Sequence, residues 1–271
     1  MEFDIVIITV NYKMKEKILA MQESLLRDVR GLPLRVQLVV IDNASGDGIA
    51  EALQEKFPVA RCISNPKNIG FGAANNLVLK QFESKYYFLI NPDIIFPAGP
   101  SVIWRLYEFM ENNPKAGLIS PKLILDNGKI QPSCMRFPKF WDQPLYRLGF
   151  HKKYNLAKRK VEDFLMSDFS HARVLPVDWV TGAAMLIRAS ALKDTGHFDE
   201  RFFMYFEDCD LCRRMWDAKW MVYYKGDLAL RHSHERASAK IPGIRSIFQN
   251  KLTRIHLKSW LQYWWKWQSV D

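Results

Sequence analysis

Along its first half the chain alternates short, continuous apolar runs with longer stretches in which apolar positions recur every three to four residues. "DIVIITV" (4–10) is β-branched and suits a strand buried on both faces. A helical pattern runs from Lys15 to Val29, and Gly31 with Pro33 ends it. The strand "VQLVVID" (36–42), the turn "NASGDG", a helix to Lys56 and the strand "ARCIS" (60–64) come next. "NPKNIGFG" then opens a helix over 73–82, "YYFLI" (86–90) is a fourth strand stopped by "NPD", and a helix over 100–112 precedes "AGLIS". Strands separated by helices in this way predict an α/β fold: a mostly parallel, Rossmann-like central sheet with right-handed crossovers and helices on both faces. Ligands of such sheets bind beyond the carboxyl ends of the strands.

The character changes after Pro121. Asn127-Gly128 is a two-residue hairpin signal. Residues 137–172 are aromatic, basic and poorly periodic, as in an insertion or a substrate-facing excursion. "VLPVDWVTGAAMLIR" (174–188) reads as strand, and 208–218 as a helix with Leu211, Cys212 and Met215 on one face. Neither internal repeats nor low-complexity tracts occur. The pattern divides the chain into a first half (1–120), a second half of the same domain (121–238) and a basic, Trp-rich helical tail (239–271).

Composition narrows the classes. With 271 residues and 48% hydrophobic content the chain can bury a large core, which excludes a mainly disordered protein. The net charge of +10 favours an anionic partner: nucleic acid, a phosphorylated small molecule or an acidic membrane surface. Cysteines 62, 134, 209 and 212 are too scattered for a disulfide framework, and the Cys209–Cys212 pair reads as two small residues on a helix face. The N-terminus carries acids where a signal peptide needs bases, and no stretch approaches the ~20 apolar residues of a membrane span. These features predict a cytoplasmic protein.

Short hydrogen-bonding residues crowd the expected strand ends: Thr9 and Asn11; Asp42, Asn43 and Ser45; Asn68, Gly70 and Gly72; Asn91 and Asp93. Asp and Asn can grip a nucleobase edge and ribose hydroxyls, and glycines let a pyrophosphate approach the backbone. The same residues are also turn formers, but four such ends in register point to one crevice. "GFGAAN" approximates a dinucleotide fingerprint, yet it follows the third strand rather than the first and ends in Asn75, which argues against nicotinamide or flavin. Asp93, after a buried run and fixed by Pro92, could hold a divalent cation bridging a diphosphate, or cap a helix.

In "GHFDERFFMYFEDCDLCRR" (196–214), Glu207-Asp208 opens a helix after an aromatic run. A carboxylate there is either a cap or, with its pKa raised by apolar surroundings, a proton acceptor. Asp199 and Glu200 read as turn-shaping acids and Asp210 as a first-turn helix acid. His232 and His234 in "RHSHERAS" alternate so that both could face one metal or phosphate, or lie on a solvated surface.

"VVIDNASGDG", "NPKNIGFGAANN", "FLINPDIIF", "VDWVTGAAMLIRASAL" and "GHFDERFFMYFEDCDLCRRM" together resemble the inverting family 2 glycosyltransferases, and within them the bacterial rhamnosyltransferases of O-antigen (lipopolysaccharide) and cell-wall polysaccharide biosynthesis. The resemblance spans residues 4 to 238 and is weak over 137–172. It implies a GT-A fold, a nucleotide-sugar donor such as dTDP-L-rhamnose, a divalent metal (Mg²⁺ or Mn²⁺), and a polyprenyl-linked oligosaccharide or polysaccharide acceptor. By motif position Thr9, Asn11, Asp42 and Asn43 would contact the nucleoside, and Asn68, Gly70 and Asn75 would line the donor site. Asp93 falls at the last position of the family's D-x-D metal motif, while Asn91 stands where the first acid would be, leaving one carboxylate for the metal. His232, with His234 as alternative, would be the second metal ligand. Asp208 matches the general base, and Glu207 would orient it or the acceptor.

The tail carries six Lys+Arg and one acid from Lys240 onward. On a helix Leu257, Trp260, Leu261, Trp264 and Trp267 share a stripe beside Arg254, Lys258 and Lys266, a pattern that fits peripheral attachment to the inner face of the bacterial cytoplasmic membrane. Docking on the domain core and a homodimer contact are the alternatives. UDP- or GDP-sugars are alternative donors. A sugar nucleotidyltransferase would need a glycine-rich loop after strand one, which "VNYKMKEK" lacks, and the resemblance implies no nucleic-acid partner.

Overall fold

The computed structural model describes residues 1–147, 154–233 and 250–268. Strands β1 (Phe3–Asn11), β2 (Val36–Asp42), β3 (Ala60–Ser64) and β4 (Ser84–Ile90) alternate with helices α1 (Lys15–Val29), α2 (Ile49–Lys56) and α3 (Phe71–Gln81). Further along come β5 (Ile94–Ile95), α4 (Val102–Asn112), β6 (Ala116–Ile124), β7 (Ile130–Gln131), β8 (Cys134–Met135), α5 (Asp142–Arg147) and α6 (Asn155–Phe164). β9 (Val174–Pro176), β10 (Trp179–Val180), β11 (Ala184–Arg188), α7 (Ala189–Thr195), α8 (Glu207–Asp217), β12 (Met221–His232) and α9 (Lys251–Trp267) complete the described elements.

The main sheet has the order β3-β2-β1-β4-β11-β6-β12-β5, with β7 on β6 and β9 on β12. The ladders β3/β2, β2/β1, β1/β4 and β6/β12 are parallel, so the predicted mostly parallel sheet is present. β11 enters antiparallel between β4 and β6 and makes the sheet mixed. β6 runs across residue 120, so the two halves share one sheet. The Asn127-Gly128 turn is a hairpin joining β6 to β7, with Gly128 at φ +76°.

Alternation along each strand sends its side chains to opposite layers. Ile5, Ile7, Leu38, Val40 and Phe88 face Ile18, Leu25, Leu53 and Leu106 of α1, α2 and α4. Val6, Ile8, Val39, Ile41 and Leu89 face Val78 of α3, Leu192 of α7, Met215 of α8, and Trp260, Tyr263 and Trp267 of α9.

Three expectations change. Residues 174–188 form three short strands rather than one. The stretch 137–172 contains α6, which buries Ala157, Val161 and Phe164 at helical spacing. In the tail, Trp260 and Trp267 are core residues, and Lys266 turns inward to Asp210 (2.6 Å) and Asp199 (2.9 Å). The predicted stripe is thus largely the docked face of α9.

Candidate active site

Beyond the carboxyl end of β4 lies a pocket of about 350 Å³, walled by Asn91, Thr181, Gly182, Glu207, Asp208 and His232 among others. The segment before α8 forms one side of it, with Met204, Tyr205 and Phe206 in the wall. Tyr205 and Phe206 both lie in the left-handed region (φ +72° and +68°). Such residues cost about 1–3 kcal/mol each and persist only where surrounding contacts hold them. Those contacts come from two directions. On the donor-loop side the Phe71 amide donates to the Phe203 carbonyl (2.9 Å). On the other, the Ser259 hydroxyl of α9 donates to the Met204 carbonyl (2.9 Å), and the His256 ring lies against Tyr205 and Phe206.

This strained turn delivers Asp208 to the pocket wall, partly buried. Its Oδ2 accepts from the Gly182 amide and its Oδ1 from the Cys209 amide, both at 2.8 Å. Burial raises its pKa to about 6, outweighing the amides that favour the ionised form. A Cβ at position 182 would press on the Phe71 ring (3.2 Å) and only touch Oδ2 at an ordinary 3.6 Å, so glycine makes room for that ring in the pocket wall. Glu207 is 5% exposed, its Oε2 lacks a hydrogen-bond partner among the described residues, and burial followed by the Asp208 charge raises its pKa further still. The arrangement can therefore take up a proton at Asp208 beside a carboxyl held neutral at Glu207.

Asp93 and His232 come together across the sheet, as spacing in the chain could not show. His232 Nε2 lies 3.0 Å from Asp93 Oδ1, and Nδ1 lies 2.7 Å from Gln131 Oε1. Both ring nitrogens face acceptor oxygens, Nδ1 the Gln131 side chain and Nε2 the Asp93 carboxylate, so the two contacts fix the plane of the imidazole with Nε2 directed at Asp93. Two ligands at the ~2.1 Å typical of Mg²⁺ on adjacent octahedral positions lie about 3 Å apart, so the pair's spacing and its oxygen-plus-imidazole chemistry fit a divalent cation. No cluster of three or more His, Cys, Asp or Glu occurs among the described residues, so the pair would supply two ligands and leave the others to phosphate and water. His234 lies outside the described residues.

The strand-end residues gather as expected but are occupied with one another. Asn11 is fully buried and donates to Asp42 (3.2 Å) and Asp47 (3.1 Å), while its carbonyl accepts from the Met14 amide (3.0 Å). Asn43 donates to Asn68 (2.9 Å) and accepts from Asn65 and the Ile69 amide. Asn75 donates to the Phe71 carbonyl (2.9 Å), and its Oδ1 has no partner among the described residues. Thr9 is 1% exposed and Asp42 half-buried. Gly70 is at φ +89°, and a Cβ there would meet the Phe203 carbonyl oxygen at 2.1 Å. These residues build the loops at the strand ends, and of the strand-end set only Asn91 reaches the pocket wall itself.

Several pocket residues escaped the sequence reading: Gln131, Gln143, Trp179, Thr181 and His256. The signal for Thr181 and Gly182 was present in "VTGAA", a break between two apolar runs. Gln131 and His256 carry no local signal, because partners 101 residues away in one case and a distant loop in the other define them. Asp210, in the first turn of α8 as expected, is fully buried there, bonded to Arg214 (2.9 Å), Lys266 and the Trp267 indole (3.0 Å).

Comparison with known proteins agrees with this geometry. The family model "Glycosyltransferase like family 2" matches residues 4–243, and the chain belongs to that family. It is similar to the N-acetylglucosaminyl-diphospho-decaprenol L-rhamnosyltransferase of Mycobacterium tuberculosis H37Rv, at 27% identity over 85% of this chain and 77% of that one. With the rhamnosyltransferase WbbL of Escherichia coli K12 it shares 30% identity over 72% of this chain and 69% of that one. Among solved structures, S. aureus TarS 1–349 in complex with UDP superposes with a TM-score of 0.57 at 16% identity, covering 94% of this chain and 64% of that one. At that identity the likeness speaks to the fold, which is GT-A; the chain spans just under two thirds of the TarS chain.

Proposed function

We propose that the protein is an inverting glycosyltransferase that moves L-rhamnose from dTDP-L-rhamnose onto a polyprenyl-linked or polysaccharide acceptor, working at the inner face of the bacterial cytoplasmic membrane. The observation that carries this reading is Asp208: a carboxylate in the pocket wall, aimed by two backbone amides and made more basic by burial. The relatives' names supply the sugar and the lipid-linked acceptor class, and the sequence resemblance supplies the nucleotide.

In this reading Asp208 takes the proton of an acceptor hydroxyl as that oxygen attacks the anomeric carbon opposite the leaving diphosphate. One displacement inverts the centre, so one protein base suffices. Glu207, protonated, keeps a second negative charge away from the incoming hydroxyl and, with no partner for Oε2 among the described residues, has a hydrogen bond to offer Asp208 or the acceptor. Met204, Tyr205 and Phe206 exclude water from the acceptor side. Asp93 and His232 would hold Mg²⁺ or Mn²⁺, which when bound supplies charge stabilisation to the departing diphosphate. Asp42, at the end of β2, would meet the nucleoside, with Thr9, Asn11, Asn43, Asn68, Gly70 and Asn75 shaping its loops and Asn91 at the pocket wall. A thermal-shift screen of dTDP-, UDP- and GDP-sugars with Mg²⁺ or Mn²⁺ tests the donor: stabilisation by dTDP-L-rhamnose above the others supports it, and preference for a UDP- or GDP-sugar replaces it.

A further inference from the structure

Docking of Trp260, Tyr263 and Trp267 on the core splits the predicted stripe: Leu257 and Leu261 stay outside and are joined by Trp265, which the sequence pattern did not include. Leu257, Leu261 and Trp265, spaced four residues apart, form an outward row exposed by 38%, 53% and 82%. Trp265 is thereby the most exposed large apolar side chain described. Lys251, Arg254 and Lys258 share the outward face, and no acid occurs between Asn250 and Gln268. Alongside lies the segment before α5: Phe140 packs its ring on Trp260 (4.6 Å) and Trp264 (5.5 Å) and leaves the neighbouring Trp141 63% exposed. Two separate chain segments thus place Trp, Phe and Leu at one surface, edged by three cations.

We propose that this face, Leu257/Leu261/Trp265 with Phe140 and Trp141, seats the protein in an anionic bilayer interface. Aromatic and aliphatic side chains interleaved with Lys and Arg, without acids, match a surface whose headgroups are negative and whose outer acyl region is apolar. A second protein chain would have to supply acids to meet Lys251 and Lys258, and the symmetric contact of two copies of α9 would oppose cation to cation. The position of the face is also informative. Both segments that build it send a residue to the pocket wall, His256 from α9 and Gln143 from α5. A membrane bound here lies beside the pocket, where an acceptor anchored by a lipid would arrive. The assignment of the acceptor rests on the proposed function; the binding of the bilayer does not.

The test is co-sedimentation of the full chain with vesicles of phosphatidylcholine alone or in equal parts with phosphatidylglycerol. Truncating the tail would not serve, since it would strip Trp260, Tyr263 and Trp267 from the core. L261S/W265S and K251Q/R254Q/K258Q alter exposed side chains instead, and the melting temperature and donor-induced thermal shift of both should match wild type. Wild type should partition on the order of tenfold more onto the anionic vesicles, L261S/W265S should lose on the order of tenfold on them, and the triple variant should lose the preference for them. Absence of wild-type binding, or wild-type-like binding by L261S/W265S, overturns the proposal. So does light scattering that shows a dimer abolished by L261S/W265S while vesicle binding is unchanged. Vesicle binding without a shift by dTDP-L-rhamnose would leave this proposal standing and remove the proposed donor.

Discussion

At the scale of single residues the site rests on a balance between burial and hydrogen bonding. Asp208 receives two amide hydrogen bonds that favour its ionised form, yet desolvation is the larger effect and leaves it a base near pH 6. Glu207 receives no such help at Oε2, so its carboxyl is held neutral over a wider range. Two consequences follow with opposite sign. Transfer needs ionised Asp208, so kcat/KM should fall about tenfold per unit as pH drops below about 6 and level off above it. Stability runs the other way. Both groups bind their protons more tightly in the folded chain than in the unfolded one, where carboxylates titrate near about 4. The pair's contribution is therefore fully present below that range; the share of Asp208 is lost as pH rises through about 6, and that of Glu207, raised well above the usual carboxylate range, declines at higher pH. Glu207→Gln should flatten this decline and melt at or above the wild-type temperature at pH 8, which a pH series of melting curves would check. A steeper decline in the variant would show that Glu207 is ionised and paired.

At the scale of elements, function depends on how loops are held. Gly70 begins the turn into α3 at φ +89°, ψ 177°, a conformation open to glycine alone, and packs against the carbonyl of Phe203 in the turn that delivers Asp208. Gly70→Ala should destabilise the protein by about 2–3 kcal/mol in urea unfolding and lower transfer more than donor affinity. An unchanged midpoint and rate would mean the two loops are not mechanically joined. Elements built from local patterns were legible in the sequence: α1 matches its expected range, and the four parallel strands end where Asn, Asp and Gly interrupt the apolar runs. Those built from distant partners were not. β11 reads as a strand, but its antiparallel insertion between β4 and β6 depends on the path of the chain between. Asp210 reads as a helix acid until Lys266 and Trp267 arrive from the tail. In α9 aromatic residues lie on every side, so periodicity alone could not tell the docked stripe from the exposed one.

At the scale of the whole molecule, the sheet joins the half proposed to hold the donor to the half that carries Asp208, and the Asp93–His232 pair, proposed to hold the cation, lies where they meet. Asp93 follows β4 and His232 ends β12, and they converge because β12 pairs with β5, placing His232 opposite Ile94. Motif position named these two residues; the geometry adds Gln131, which fixes the imidazole. Asp93→Ala should abolish the Mg²⁺- or Mn²⁺-dependent part of donor binding by calorimetry, and equal affinity with and without metal in wild type would remove that role. Among the described residues no helix is long and apolar enough to cross a membrane. The central claim is that Asp208 is the base. Asp208→Asn, assayed for transfer and for nucleotide-sugar binding on the same preparation, tests it most directly. The account predicts transfer reduced on the order of a thousandfold with donor affinity retained; turnover within a few-fold of wild type would contradict it.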